Sequence, residues 1–192
     1  QHQQLANAVP PLLGFAIARH IKKHLAGYSK TAKKKKAVPD DALRFIDLFS
    51  GIGGFRVALE KAHCRCVFSS ENDPWASETY AKNFHEVPAG DITKIDEKNI
   101  PSHDILCAGF PCQPFSIGGH RKGFEDARGT LFFHVARILA AKKPSAFILE
   151  NVPGITTHDS GNTIETIRKV LNDVGYEIFE RKIDAKDFGL PQ

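Results

Sequence analysis

One cysteine in the sequence stands in an unusual setting, Gly109-Phe110-Pro111-Cys112-Gln113-Pro114-Phe115-Ser116. An isolated cysteine is most often a small buried hydrophobe. Here Pro111 lacks an N–H and Pro114 breaks any helix, so Cys112 is held outside regular hydrogen bonding. A thiol so placed can serve as a nucleophile once ionised. Further on, Glu150-Asn151-Val152 brings a carboxylate toward the same edge of the fold. Capping is the ordinary role of such a glutamate, and acid–base chemistry its functional one.

Upstream, Phe49-Ser50-Gly51-Ile52-Gly53-Gly54-Phe55 places glycines where a backbone must turn tightly and approach a ligand closely. A glycine-rich turn alone is a weak signal. Glu71 strengthens it, because a carboxylate ending the next strand can accept both hydroxyls of a ribose. Asp91, opening Asp91-Ile92-Thr93, is positioned to meet an adenine amino group. The three together favour an adenosine-containing cofactor, without separating a dinucleotide from S-adenosylmethionine.

The elements that must position these residues alternate between strand and helix. Arg44 to Phe49, Cys66 to Ser70, Asp104 to Ala108, Ala146 to Glu150 and Glu177 to Ile183 read as five strands. Gly53 to Ala62, Pro74 to Asn83 and Thr130 to Ala141 read as helices. Ile164, Ile167, Val170, Leu171 and Val174 form a further amphipathic helix that ends near Gly175. Before them, Pro10 and Pro11 open a helix whose Leu13, Ile17, Ile21 and Leu25 recur every four residues. This order predicts an α/β fold with a mainly parallel sheet and helices on both faces. In such sheets ligands bind outside the carboxyl ends of the strands, where the glycine turn, Glu71, Cys112 and Glu150 all fall.

Composition is that of a globular chain: 192 residues, 42% hydrophobic and 25% charged. No apolar run approaches the ~20 residues of a membrane span. The net charge of +4 is local. Residues 1–40 carry +7 and residues 41–192 carry −3, and much of the excess is Lys33 to Lys36. That stretch reads as a solvated linker that could add sequence-independent attraction to nucleic acid. The four cysteines lack a framework spacing, which suggests free thiols in a reducing compartment. Cys64 and Cys66 are one residue apart, unlike a zinc pair, so no metal site is expected. The chain has no methionine and stops at Leu190-Pro191-Gln192, so it is expected to be a piece of something longer.

Several of these segments resemble the C5-cytosine DNA methyltransferases. Phe45 to Phe55, reading Phe-Ile-Asp-Leu-Phe-Ser-Gly-Ile-Gly-Gly-Phe, resembles the first motif of that family. Gly109 to Ser116 resembles its catalytic motif, and Glu150-Asn151-Val152 its Glu-Asn-Val motif. Gly123-Phe124-Glu125-Asp126 and Arg128-Gly129-Thr130-Leu131-Phe132-Phe133 are similar to bacterial restriction-modification members. The resemblance covers nearly all of residues 42–192 and implies a Rossmann-like fold that uses S-adenosylmethionine.

Both ends carry a further likeness. Gln4-Leu5-Ala6-Asn7-Ala8-Val9-Pro10-Pro11 resembles the family's last motif, which normally lies near the carboxyl terminus. The order therefore reads as circularly permuted: residues 1–28 as the displaced segment, 29–41 as the joint, and 42–192 as the catalytic domain. Permutation is physically reasonable where two segments already pack side by side. Asp187-Phe188-Gly189-Leu190-Pro191-Gln192 resembles the lead-in to the Gln-x-Arg-x-Arg motif. The two arginines and the variable target-recognition region are not in the chain. They are expected on a further stretch of polypeptide or a second one.

What the resemblance implies chemically fits the residue types. Cys112 would add to C6 of a cytosine flipped out of double-stranded DNA. Glu150 would hydrogen-bond the N3 edge, and Asn151 would orient the base or hold the loop. S-adenosylmethionine would lie against Phe49, Ser50, Gly51, Ile52 and Gly53, then Glu71 and Asn72, then Asp91 and Ile92. Pro111, Leu131, Asn7, Ala8 and Val9 would complete its pocket, and S-adenosylhomocysteine would be the product. Gln113, Ser116, Gly118 and Arg121 would belong to a loop that closes over the base. Relatives often carry an aromatic residue just after the acidic one; Asn72 stands there, and Trp75 follows three positions later. The expected setting is the bacterial cytoplasm, next to the nucleoid and not at a membrane.

Three other readings stand beside this one. An RNA methyltransferase would share the chemistry, because target choice lies in the absent region. A non-catalytic subunit could hold cofactor for a second chain. A nicotinamide oxidoreductase would need Gly-x-Gly-x-x-Gly, and Gly51-Ile52-Gly53-Gly54 lacks the third glycine at that spacing.

Overall fold

A computed structural model describes residues 10–28, 42–111 and 131–188. The lysine-rich stretch 29–41 lies outside them.

Four strands form one sheet: β1 (Arg44–Leu48), β2 (Arg65–Ser70), β3 (Ile105–Gly109) and β4 (Ala146–Glu150). Their spatial order is β2-β1-β3-β4, and every pairing is parallel. The helices are α1 (Pro11–Tyr28), α2 (Gly54–Lys61), α3 (Pro74–Phe84), α4 (Leu131–Lys142) and α5 (Asn162–Asp173). Short 3-10 turns fill the connections, among them Ile92–Lys94 and Glu97–Asn99.

Side chains alternate across each strand, so the apolar runs of β1 and β3 feed two cores. Phe45, Ile105, Cys107 and Ile148 face α1 and α2, packing with Ala18, Phe55, Ala58 and Leu59. Ile46, Leu48, Leu106 and Ala108 face the other way onto Phe132, Val135 and Leu139 of α4 and Ile167 and Leu171 of α5. Helices thus cover both faces, as the strand–helix alternation predicts. Val67 is an extra residue in β2, since Phe45 pairs with Cys66 and Ile46 with Phe68.

The helix ends follow local chemistry. Asp73 caps α3 by accepting from the Ala76 N–H at 2.7 Å, with Pro74 in the first turn. The α5 helix closes on Gly175, with Tyr176 N–H donating to Leu171 O and Gly175 N–H to Asn172 O. In α1 the four-residue stripe is only half-buried, and the close approach is made by small residues. Ala18 is fully buried, and a Cβ on Gly14 would come within 2.7 Å of the Ala58 Cβ. Among the described residues no helix is long and apolar enough to cross a membrane.

One expected element is absent. Residues 177–183 are not a strand. A few apolar residues in a row of this length cannot make one, because a strand needs a neighbouring ladder to satisfy its backbone. Phe179 is 86% exposed, and the segment is tied by side chains: Arg168 of α5 grips both oxygens of Glu180, and the Tyr176 hydroxyl donates to Pro144 O.

Candidate functional site

Parallel register brings the carboxyl ends of all four strands to one edge. Leu48 pairs with Ser70 on one side and Ala108 on the other, and Gly109 pairs with Glu150. The turn after β1 is fixed there by hydrogen bonds, with Ser50 N–H donating to Ser70 O at 3.0 Å and Gly53 N–H to Ser50 O at 2.8 Å. Phe49, Gly51 and Gly53 are all left-handed, with φ of 55°, 54° and 97°. A side chain on Gly51 would meet nothing within 4 Å, so the backbone there is open to a ligand. At Gly53 the reason for glycine is opposite. A Cβ would lie 2.1 Å from the ring of Phe84, so α3 plugs the back of the turn.

Glu71 braces this turn. One carboxylate oxygen accepts from the Gly51 N–H at 2.7 Å and the other from the Asp73 N–H at 2.8 Å. Each oxygen keeps a further lone pair, so ribose hydroxyls would share the carboxylate with the loop. Asn72 and Trp75 are exposed just beyond, Trp75 at 71%.

The next loop holds Asp91 and Ile92. Asp91 accepts from both the backbone N–H and the hydroxyl of Thr93, at 3.0 and 2.8 Å. Those bonds, with Lys94 nearby, hold its carboxyl below the ordinary range, so it is an anionic acceptor. Ile92 is buried, and its carbonyl accepts from the Arg137 guanidinium. Leu131, half-buried, is the first residue of α4.

At the other end of the edge, Asn151 reaches across from β4 to β3. Its side-chain N–H donates to Phe110 O at 2.7 Å, while its oxygen accepts from the Val152 N–H at 2.9 Å. Pro111 follows Phe110 and is exposed. Burial pushes the Glu150 carboxyl up, favouring its neutral form. Cys112, Gln113, Ser116, Gly118 and Arg121 lie outside the described residues, as do Asn7, Ala8 and Val9.

The remaining cysteines are unsuited to nucleophilic work. Burial pushes the Cys64 and Cys107 thiols up and takes Cys66 to about 12. None of the three is in a disulfide.

Three charged residues, one in β1, one in α2 and one in α4, carry little trace in the sequence. Asp47 of β1 is fully buried beside Cys66 and Cys107, and burial raises its carboxyl well above the usual range. Arg56 of α2 donates to Tyr80, Glu60 and Glu86 and lies 4.8 Å from the Phe84 ring centre, so it locks α3 behind the glycine turn. Arg137 grips the Asp91 loop from α4. Charged residues inside apolar segments were the only hint, and a hint without a partner.

The chain matches the family model for the C-5 cytosine-specific DNA methylase over residues 43–192. It is 55% identical over 150 residues to the type II methyltransferase M.HhaI of Haemophilus parahaemolyticus, covering 78% of this chain and 46% of that protein. It is 52% identical over 169 residues to M.MspI of Moraxella sp, covering 88% of this chain and 40% of that one. Among solved structures, S. pombe Dnmt2 methyltransferase superposes with a TM-score of 0.53 at 26% identity, over 71% of this chain and 42% of that one. A putative DNA modification methyltransferase from an E. coli prophage gives 0.53 and 26%, over 69% and 38%. The sheet is that of the Rossmann-like methyltransferases. The chain spans less than half the length of these relatives.

Proposed function

Since the chain belongs to the C-5 cytosine-specific DNA methylase family, we propose that it is the cofactor-holding, nucleophile-bearing part of a DNA (cytosine-5)-methyltransferase of a bacterial restriction-modification system. The observation that carries this reading is the bond from Asn151 to Phe110 O. It ties the strand end bearing Glu150 to the residue two positions before Cys112, at the edge where the glycine turn also opens.

Those residues fit S-adenosylmethionine. Gly51 leaves open space for a close approach, Glu71 retains acceptor capacity, and Asp91 is an anionic acceptor for an exocyclic amine. The cofactor supplies an electrophilic methyl group on a sulfonium sulfur and leaves as S-adenosylhomocysteine.

The chain's own residues prepare the base. Cytosine C5 is too weakly nucleophilic to take a methyl group unaided. The Cys112 thiolate adds to C6, and the displaced electron pair moves toward C5 and N3. Glu150, held toward its neutral form by burial, hydrogen-bonds or protonates N3 and stabilises that shift. So prepared, C5 would be able to take the methyl group that a bound cofactor would supply. A base then removes the C5 proton, and Cys112 departs as thiolate, restoring the ring. The three inert thiols elsewhere leave Cys112 as the cysteine for this role. The target must be flipped out of the duplex to reach it.

The packing of α1 against α2 supports reading residues 1–28 as a displaced last-motif segment beside the cofactor pocket. Duplex DNA is the partner, read in its major groove by a target-recognition region supplied on further polypeptide or a second chain. The bacterial cytoplasm, near the nucleoid, is where such an enzyme meets its substrate. The test joins residues 1–192 with that region and offers duplex DNA containing 5-fluorocytosine. The parent should be trapped as a covalent adduct, because fluorine cannot leave as a proton does, and Cys112→Ser should not. An adduct with the serine variant, or trapping on RNA but not DNA, overturns the proposal.

A further inference from the structure

The loop that would receive adenine has almost no structure of its own. Its backbone closes a single 3-10 turn, with Lys94 N–H donating to Asp91 O at 3.0 Å and Ile95 N–H to Ile92 O at 3.3 Å. Arg137, from another element, grips it. Arg137 Nη2 donates to Ile92 O at 2.8 Å and to Ile95 O at 2.7 Å. Nη1 donates to Glu97 at 2.6 Å, in the following turn, and Nε to His134 Nδ1 at 3.2 Å on the same helix. The guanidinium is planar and its donors fork in fixed directions, so these bonds define one orientation of the loop relative to α4.

The two things joined are the two segments that the S-adenosylmethionine reading sets beside the adenine. Asp91 and Ile92 lie on the loop, and Leu131 begins the helix that carries Arg137. Thr93 uses one Asp91 oxygen, and the other lies 3.5 Å from the Lys94 ammonium. Where that second oxygen points is set by the loop, and the loop is set by Arg137.

We infer that Arg137 is a positioning residue for cofactor selection: by clamping the Ile92 and Ile95 carbonyls and Glu97 it aims the Asp91 carboxylate at the six-amino group of the adenine ring. The inference rests on the S-adenosylmethionine reading. Lysine cannot replace arginine here, because a single ammonium cannot reach two carbonyls and a carboxylate in the same fixed plane.

Calorimetry on the intact protein with S-adenosylhomocysteine and with S-inosylhomocysteine tests it. The inosine compound carries an oxygen in place of the amino group, and so faces Asp91 with an acceptor. The parent should prefer the adenosine compound by about ten-fold or more, the cost of leaving a hydrogen-bonding group unpaired. Arg137→Gln should shrink that ratio toward one, and Arg137→Lys should restore only part of it. Asp91→Asn should shrink it too, and the double variant should lose no more than either single one, because both act through one contact. A ratio unchanged in Arg137→Gln, with only the melting temperature lowered, overturns the inference and leaves Arg137 a structural residue. A parent that binds neither compound overturns the cofactor reading itself, and this inference with it. If Arg137→Gln does not fold, Glu97→Gln decides. It weakens the clamp without touching the loop carbonyls, and must lower the ratio measurably for the inference to stand.

Discussion

The side-chain N–H of Asn151 donates to the carbonyl oxygen of Phe110 at 2.7 Å, joining the ends of two adjacent parallel strands. Residues 110 and 151 are far apart in the chain, and the bond fixes the backbone immediately before Pro111-Cys112 relative to Glu150. Asn151→Ala should leave S-adenosylhomocysteine affinity within about two-fold, while single-turnover methyl transfer falls about ten-fold or more, as expected for one lost hydrogen bond at a reacting centre. An equal loss in cofactor affinity would assign Asn151 to the pocket instead.

Glu71 should matter through the loop as much as through the ligand. Glu71→Ala removes the acceptor of the Gly51 and Asp73 N–H groups together with the one proposed for the ribose. Cofactor affinity should fall by about 1–3 kcal/mol. Glu71→Gln, which keeps one acceptor oxygen, should lose less. Unchanged affinity by calorimetry would take Glu71 out of the site.

Gly53 is constrained twice, by φ of 97° and by the Phe84 ring. Gly53→Ala should cost about 2–4 kcal/mol, combining a strained backbone with an overpacked contact. Adding Phe84→Ala should recover part of that, so the double variant melts above the additive expectation. Strict additivity would mean that the ring does not plug the turn.

Stability should depend on pH through His134. Burial and the neighbouring Arg137 hold its imidazole below the ordinary value. A histidine that resists protonation in the folded state leaves the unfolded chain as the better proton binder near pH 6. Stability therefore rises with pH up to the unfolded value of about 6.5 and is lost as pH falls below it. Buried His103 acts in the same direction. Protonated His134 can no longer accept from Arg137 Nε, so the clamp loosens as well. Urea midpoints between pH 5 and 7.5 should show this slope, and His134→Asn should flatten it.

Much of the fold was legible because its signals are local. Runs of apolar residues marked four strands within a residue or so, since strands buried on both faces are continuously hydrophobic. Pro74 and Gly175 marked helix ends through their own backbone preferences. The motif residues Phe49 to Gly53, Glu71, Asp91, Glu150 and Asn151 could be named because each ends a strand, follows its end, or lies in the loop that comes next. Tertiary structure decided the rest, because it depends on partners distant in sequence. Residues 177–183 read as a strand, yet the segment is held by Arg168 and Tyr176 rather than by a ladder. The α1 stripe points to Leu13 and Ile17, while the close contact falls on Gly14 and Ala18, where the opposing helix can approach. Arg56 and Arg137 look like ordinary helix charges until Phe84, Glu86, Ile92 and Ile95 fold against them. Sequence names a residue's chemistry through its type and its near neighbours. Only the packed chain decides which distant carbonyl or ring that chemistry will meet.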